Sequence, residues 1–210
     1  MNFHLLVKET GERTIKIKLS VQNKLTISER QIFLTMTFNA NETMYQASAD
    51  ISNAHLASIA NTPGLIWSLL YQPIPTIVSK NYVAAGGNML GLDRFSDNLI
   101  CKNAGAAHIL IGANNLPPVY LLYVTWDDPA YDTILTHAAY ATVAEIEAKS
   151  CELGTDNPYI YLNYAGQYQD PLAGYGDTNV DKMKALSQKY DPAQVFQNLV
   201  PGGYKVSLQH

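Results

Sequence analysis

Apolar and polar residues alternate most clearly in two early stretches. In RTIKIKLSV (Arg13–Val21), Ile15, Ile17 and Leu19 alternate with Lys16 and Lys18, the period-two signature of a half-buried strand. QIFLTMTF (Gln31–Phe38) predicts a second strand with Ile32, Leu34, Met36 and Phe38 on one face. The pattern then changes period. Asn41 is placed to cap a helix over 42–60, with Met44, Ala47, Ile51 and Ile59 as its buried stripe and Pro63-Gly64 as its stop.

LIWSLLYQ (65–72) reads as a strand leading into Pro73 and Pro75, after which AAGGNMLGL (Ala84–Leu92) is glycine-rich. A strong strand follows at 119–126, then a helix over 129–152 with Pro129 in its first turn and Gly154 just past its end. Ile134, Ala138, Ala141 and Glu145 track one side of that helix. A further strand at 158–163 and a last helix at 178–189, capped by Asp177 and carrying Val180, Met183 and Leu186, complete the chain. This order predicts an α+β fold, an antiparallel β-sheet with helices packed on one face.

Composition narrows the function classes. The 210 residues are 47% hydrophobic and carry a net charge of −4. Mean hydropathy is −0.08 and the pI is about 5.7, which suits a globular domain and not a nucleic-acid binder. No apolar run approaches the roughly 20 residues of a membrane span. FHLLV near the N-terminus is too short for a signal-peptide core and meets Lys8 and Glu9 at once, so a cytoplasmic location is expected for the chain as written. Cys101 and Cys151 have no metal or redox spacing, and no metal site is expected.

The richest chemistry lies near the C-terminus, where PYIYLNYAGQYQDPLAGYG (Pro158–Gly176) concentrates Tyr, Asn, Gln and Gly, followed by YDP…VFQ…VPGG (Tyr190–Gly203). Upstream stand QPIP (Gln72–Pro75), GGNMLGLD (Gly86–Asp93) and WDDPAYD (Trp126–Asp132). In combination these resemble the substrate-binding domain and C-terminal region of fungal FAD-linked oxidases related to berberine bridge enzyme, in the vanillyl-alcohol oxidase superfamily. The resemblance covers about residues 31–206 and divides them into a substrate-binding part (31–157) and a C-terminal region (158–206), flanked by an unmatched 1–30 and a tail at 207–210.

The resemblance implies an enzyme that oxidises an alcohol, amine or sugar-like substrate with FAD and oxygen. It places Tyr161 and Tyr164 as possible phenol acids or bases, with Asn163, Gln167, Gln169, Trp67 and Gln72 lining the substrate cavity. Asn163, Phe196 and Gln197 would meet a flavin supplied by a separate domain or chain, and full-length members are often secreted. The family's N-terminal flavin domain and its His/Cys attachment points have no counterpart in this sequence, so the chain reads as a truncated member that does not hold FAD alone. Gly86-Gly87 is expected to precede a strand, not the helix N-terminus that a phosphate cradle requires.

Carboxylates expected by resemblance after GG-x-M and after YxNY are replaced by Gly91 and Gly166. Simpler readings stand beside these. Trp67 and Met89 suit a core, Asp127 and Asp128 suit a helix N-terminus, and His137 suits a satisfied interior position. Two other function classes remain open: a cofactor-free cyclase or pericyclase-type enzyme, and a non-catalytic binding or scaffold protein.

One segment interrupts the resemblance. Removing CKNAGAAHILIGANNLPP (Cys101–Pro118) joins SDNLI directly to VYLLYVTW. Cys-Lys, Ala-Asn and Pro-Val can be encoded by a splice donor, branch point and acceptor, so a translated retained intron and a tolerated surface loop are the two readings. Sequencing the spliced transcript decides between them.

Overall fold

The computed structural model describes residues 30–73, 76–95 and 118–206. The expected strand at 13–21, the 96–117 stretch and the 207–210 tail lie outside the described residues. The described part is an α+β unit built on a four-stranded sheet in the order β2-β3-β1-β4. Its strands are β1 (Arg30–Phe38), β2 (Ile66–Pro73), β3 (Pro118–Trp126) and the two-residue β4 (Asp156–Asn157). All pairings are antiparallel, with β1 and β3 in register from Arg30↔Trp126 to Thr37↔Val119. The β2–β3 ladder ends at Pro73↔Pro118, two residues that both lack a backbone N–H.

Strand alternation sorts the side chains onto two faces. On the first, Leu34, Met36, Phe38, Tyr120, Leu122, Val124 and Trp126 join Leu135, Ala139, Val143 and Ile146 in a closed hydrophobic core. The helices over this face are α1 (Glu42–Ala57) and α3 (Asp132–Glu152). Asn41 Oδ1 accepts from Met44 N at 3.0 Å, so the expected cap holds. Helix α1 is shorter than expected. It ends at Ala57, and a turn closed by Ile59 N on Leu56 O follows, well before Pro63-Gly64. Its fully buried positions are Met44, Ser48 and Ser52, whereas Ala47 and Ile51 are only half-buried.

The face of α3 also differs from expectation. Leu135, Ala139, Thr142, Val143, Ile146 and Ser150 are buried, while Ile134 is 53% exposed and Glu145 and His137 are exposed. An alanine-rich helix offers apolar residues on several sides, and the sheet selects the one that carries the larger Leu, Val and Ile. A 3₁₀ turn at Pro129–Tyr131, capped by Asp128, precedes α3. Asp132 then ties the helix start to the sheet, accepting from Trp126 Nε1 at 2.8 Å and pairing with Arg30.

Between β2 and β3 the sequence predicted a loop and a strand. The structure instead has a helix, α2 (Thr76–Ala84), and after the glycines a 3₁₀ turn at Leu92–Phe95. The expected strand at 158–163 is also absent. Beyond β4 the chain is irregular and enters a 3₁₀ turn at Leu162–Tyr164. A second such turn, Ala173–Tyr175, leads through Gly176 into α4 (Asp177–Tyr190), and a short α5 (Val195–Asn198) follows.

Candidate functional site

The second face of the sheet carries the C-terminal segment. Val119, Tyr159, Leu172 and Tyr175 form its buried cluster, with Tyr161, Tyr164, Met183 and Tyr204 packed around them. Tyr159 and Tyr175 stack at 5.6 Å, nearly coplanar. Burial pushes both phenols up from the usual tyrosine range, so they act as neutral packing groups. Peptide groups here bond side chains in place of a ladder. Tyr159 N donates to Asn157 Oδ1 and Leu162 N to the Tyr175 hydroxyl.

Tyr161 and Tyr164 meet edge to face at 4.9 Å, the T-shaped arrangement favoured by aromatic quadrupoles. Their hydroxyls differ in hydrogen bonding. The Tyr164 hydroxyl donates to Gln72 Oε1 at 3.0 Å, tying the turn to β2. The Tyr161 hydroxyl accepts from Asn163 Nδ2 at 2.8 Å, which leaves its own proton free to donate. Tyr161, Asn163, Tyr164 and Gln72 are thus brought together.

Other candidates lie apart. Trp67 belongs to the helix-side core, where its Nε1 donates to Ser52 Oγ at 2.8 Å. Gln167 is exposed. Phe196 is 65% exposed on α5, and Gln197 Oε1 accepts from Val206 N at 3.0 Å, folding the tail back onto itself. Gln169 reaches the middle of β1. Its Oε1 accepts from Thr35 N, and its Nε2 donates to Thr35 O at 2.6 Å.

The two glycines at the expected carboxylate positions are packing requirements. Gly91 is buried at φ +67°, and a side chain there would overlap the Tyr175 carbonyl. Gly166 is buried, and a side chain would run into Leu34 and the Phe33 carbonyl. Neither place has room for an acid. Beside Gly91, Arg94 donates to the carbonyls of Gly91 and Gly174, and its charge stays at the surface. Sequence reasoning missed Tyr159, Tyr175, Tyr204 and Arg94. The unusual tyrosine content (14 residues) was the one signal that pointed toward the first three.

A FAD pyrophosphate needs several free backbone N–H groups converging at a glycine loop or helix start. Gly86 N donates to Val83 O at 3.1 Å and Gly87 N to Tyr82 O at 2.7 Å, so both glycines close the C-terminal end of α2. The first turns of α1, α3 and α4 carry Glu42, Asp132 and Asp177, which repel phosphate. The glycine pair and the starts of α1, α3 and α4 do not fit this group. Among the described residues there is also no cluster of three or more His, Cys, Asp or Glu able to hold a metal. No helix among them is long and apolar enough to cross a membrane.

Comparison with known proteins finds this sequence similar to fungal proteins named as FAD-dependent monooxygenases. The chain is 30% identical over 181 residues (85% of its length) to FAD-dependent monooxygenase drtC of Aspergillus calidoustus, covering 31% of that protein. It is 32% identical over 193 residues (90% of its length) to FAD-dependent monooxygenase sdcF of Emericella nidulans, covering 36% of it. A third relative has a different name: Oligopeptidase PhomG' of Diaporthe leptostromiformis is 30% identical over 179 residues, 13% of its own length. The chain therefore spans about a third of the monooxygenase relatives it matches. No family model matches it, and no solved structure matches it.

Proposed function

We propose that this chain forms the substrate-facing wall of an FAD-linked oxidoreductase of the berberine-bridge-enzyme type. The observation that carries the reading is the Tyr161–Asn163 and Tyr164–Gln72 pairing on the second face of the sheet. Bound flavin would supply the redox chemistry, and its pyrophosphate grip would lie outside the described residues. The side chains here bind and orient substrate. Tyr161 offers its hydroxyl proton to an oxygen or nitrogen of an alcohol, amine or sugar-like substrate, and Asn163 fixes the direction of that hydroxyl. Tyr164, its proton held by Gln72, shapes the wall. The apolar ridge of Tyr190 (73% exposed), Phe196 and Leu199 (75% exposed) suits an interface with the flavin-bearing part.

A chimera in which this chain replaces the matching third of the drtC relative tests the reading. The expected result is retained flavin and substrate-dependent flavin reduction that falls roughly 10²–10⁴-fold in Tyr161→Phe. Unchanged reduction in that variant would overturn it. A second reading, a cofactor-free enzyme that assists a cyclisation, draws support from the poor fit to pyrophosphate. Under that reading the purified chain speeds a cyclisation without any flavin absorbance.

A further inference from the structure

We infer that Gln169 is a positioning residue that locks the turn bearing Tyr161 and Tyr164 onto the sheet by standing in for a strand residue. Strand β4 pairs with β1 only at Thr37 and Phe38. One step further along the same edge, Thr35 is fully buried and its N–H and C=O have lost their strand partner. The Gln169 amide fills that place. Its Oε1 accepts from Thr35 N at 3.0 Å and its Nε2 donates to Thr35 O at 2.6 Å, the reciprocal pair that a neighbouring strand would make.

The same Oε1 accepts from Gly166 N at 3.0 Å, and Gln169 N returns a bond to Gly166 O. That carbonyl also accepts from the Tyr204 hydroxyl at 2.6 Å, so the C-terminal tail is tied to the same turn. At its other end, Tyr164 anchors the turn to Gln72 of β2. The segment is tied to β2 at one point and to the edge of β1 at another, and Tyr161 and Tyr164 pack against the cluster that includes Val119 of β3. A loop glutamine is ordinarily solvated. This one meets its partner 134 residues away and bonds both of Thr35's backbone groups.

The inference rests on the reading that Tyr161 and Tyr164 face substrate, yet the lock can be tested without any substrate. The full chain is labelled with fluorotyrosine, and the two resonances are assigned with Tyr161→Phe and Tyr164→Phe. Gln169→Leu removes all three side-chain bonds, so both resonances should move while amide exchange in α3 stays at wild-type rates. Gln169→Glu keeps the acceptor but sets a carboxylate against the Thr35 carbonyl. Near neutral pH it should behave like the leucine variant. On acidification its carboxylic acid donates to Thr35 O, and the resonances should return toward the wild-type positions.

Other titratable groups face this site. Tyr140 from α3 and Tyr204 from the tail have phenols held up by burial and stay neutral throughout. Asp170 accepts from Leu172 N and Ala173 N, and wild-type protein followed over the same pH range is the control. Unmoved resonances in Gln169→Leu, or a glutamate displacement that does not reverse with acid, would overturn the inference. Full flavin reduction by a Tyr161→Phe chimera alongside a verified lock would instead sink the substrate-wall reading and leave the positioning of the turn intact.

Discussion

The two faces of the sheet are built from different materials. The helix-side face is closed with Leu, Ile, Val, Phe and Met around an edge-to-face aromatic group of Phe38, Tyr45, Tyr71 and Tyr120, and its side-chain hydrogen bonds are internal, such as the Ser48 Oγ···Tyr71 hydroxyl contact at 2.7 Å. The opposite face is covered by tyrosines, amides and glycines whose contacts are largely directional: Gln169 on Thr35, Tyr164 on Gln72, Tyr204 on Gly166. Apolar burial is non-directional and scales with area, so the first face carries most of the stability. Hydrogen bonds add little net free energy each but specify distance and angle, so the second face carries the geometry. The proposed substrate wall would need the second property and borrow the first from across the sheet.

The sharpest way to break this comparison is Phe38→Ala. Phe38 is fully buried on the helix side, and the expected loss is about 3–5 kcal/mol in urea unfolding followed by Trp67 and Trp126 fluorescence. A loss near zero would deny that this face dominates. Gly166→Ala comes next, because its new methyl group would collide with Leu34 of the helix-side core and with the Phe33 carbonyl at the edge of β1, where the C-terminal segment meets the sheet. Overpacking of this kind costs about 1–3 kcal/mol, and the turn should loosen with it. Wild-type stability in that variant would mean the segment rests on the sheet less tightly than described.

Tyr120→Phe runs in the opposite direction. The Tyr120 hydroxyl is buried in the helix-side core without a hydrogen-bond partner, and burial pushes its phenol well up. Removing it should raise the melting temperature, with a gain of about 1 kcal/mol, and a loss would reveal a partner. The smallest effect is expected for Asp132→Asn. The hydrogen bond from Arg30 holds the Asp132 carboxyl below its ordinary value of 3.8. A lowered folded-state pKa gives stability that is present above the ordinary carboxylate range and lost as pH falls through the lowered value. The gap in melting temperature between wild type and Asp132→Asn should therefore be present at neutral pH and close on acidification. A gap that stays constant with pH would assign the effect to packing.

The elements that the sequence made legible are those whose signals are local. The Asn41 cap, the alternating strands β1 and β3, Pro129 ahead of α3 and Gly154 behind it depend on neighbours a few residues away. The failures have a different origin. The stretch 158–163 is expected as a strand, but its Tyr159 and Tyr161 rings pack in a tyrosine cluster and peptides here bond to side chains. TIVSKNYVA was hidden as α2 because prolines before it and glycines after it read as loop. The site was partly legible. Tyr161, Asn163, Tyr164 and Gln72 do converge, but the bond from Gln169 to Thr35 spans 134 residues and has no local signature.

The paired prolines at Pro73 and Pro118 have a consequence for how this chain can vary. With no N–H on either residue, neither can donate across the pair, and the β2–β3 ladder stops there. Lengthening a connection that starts from such a stop adds only a slowly growing closure entropy. A change of chain length between these two prolines should therefore leave Gln72, one residue inside the stop, with its hold on Tyr164.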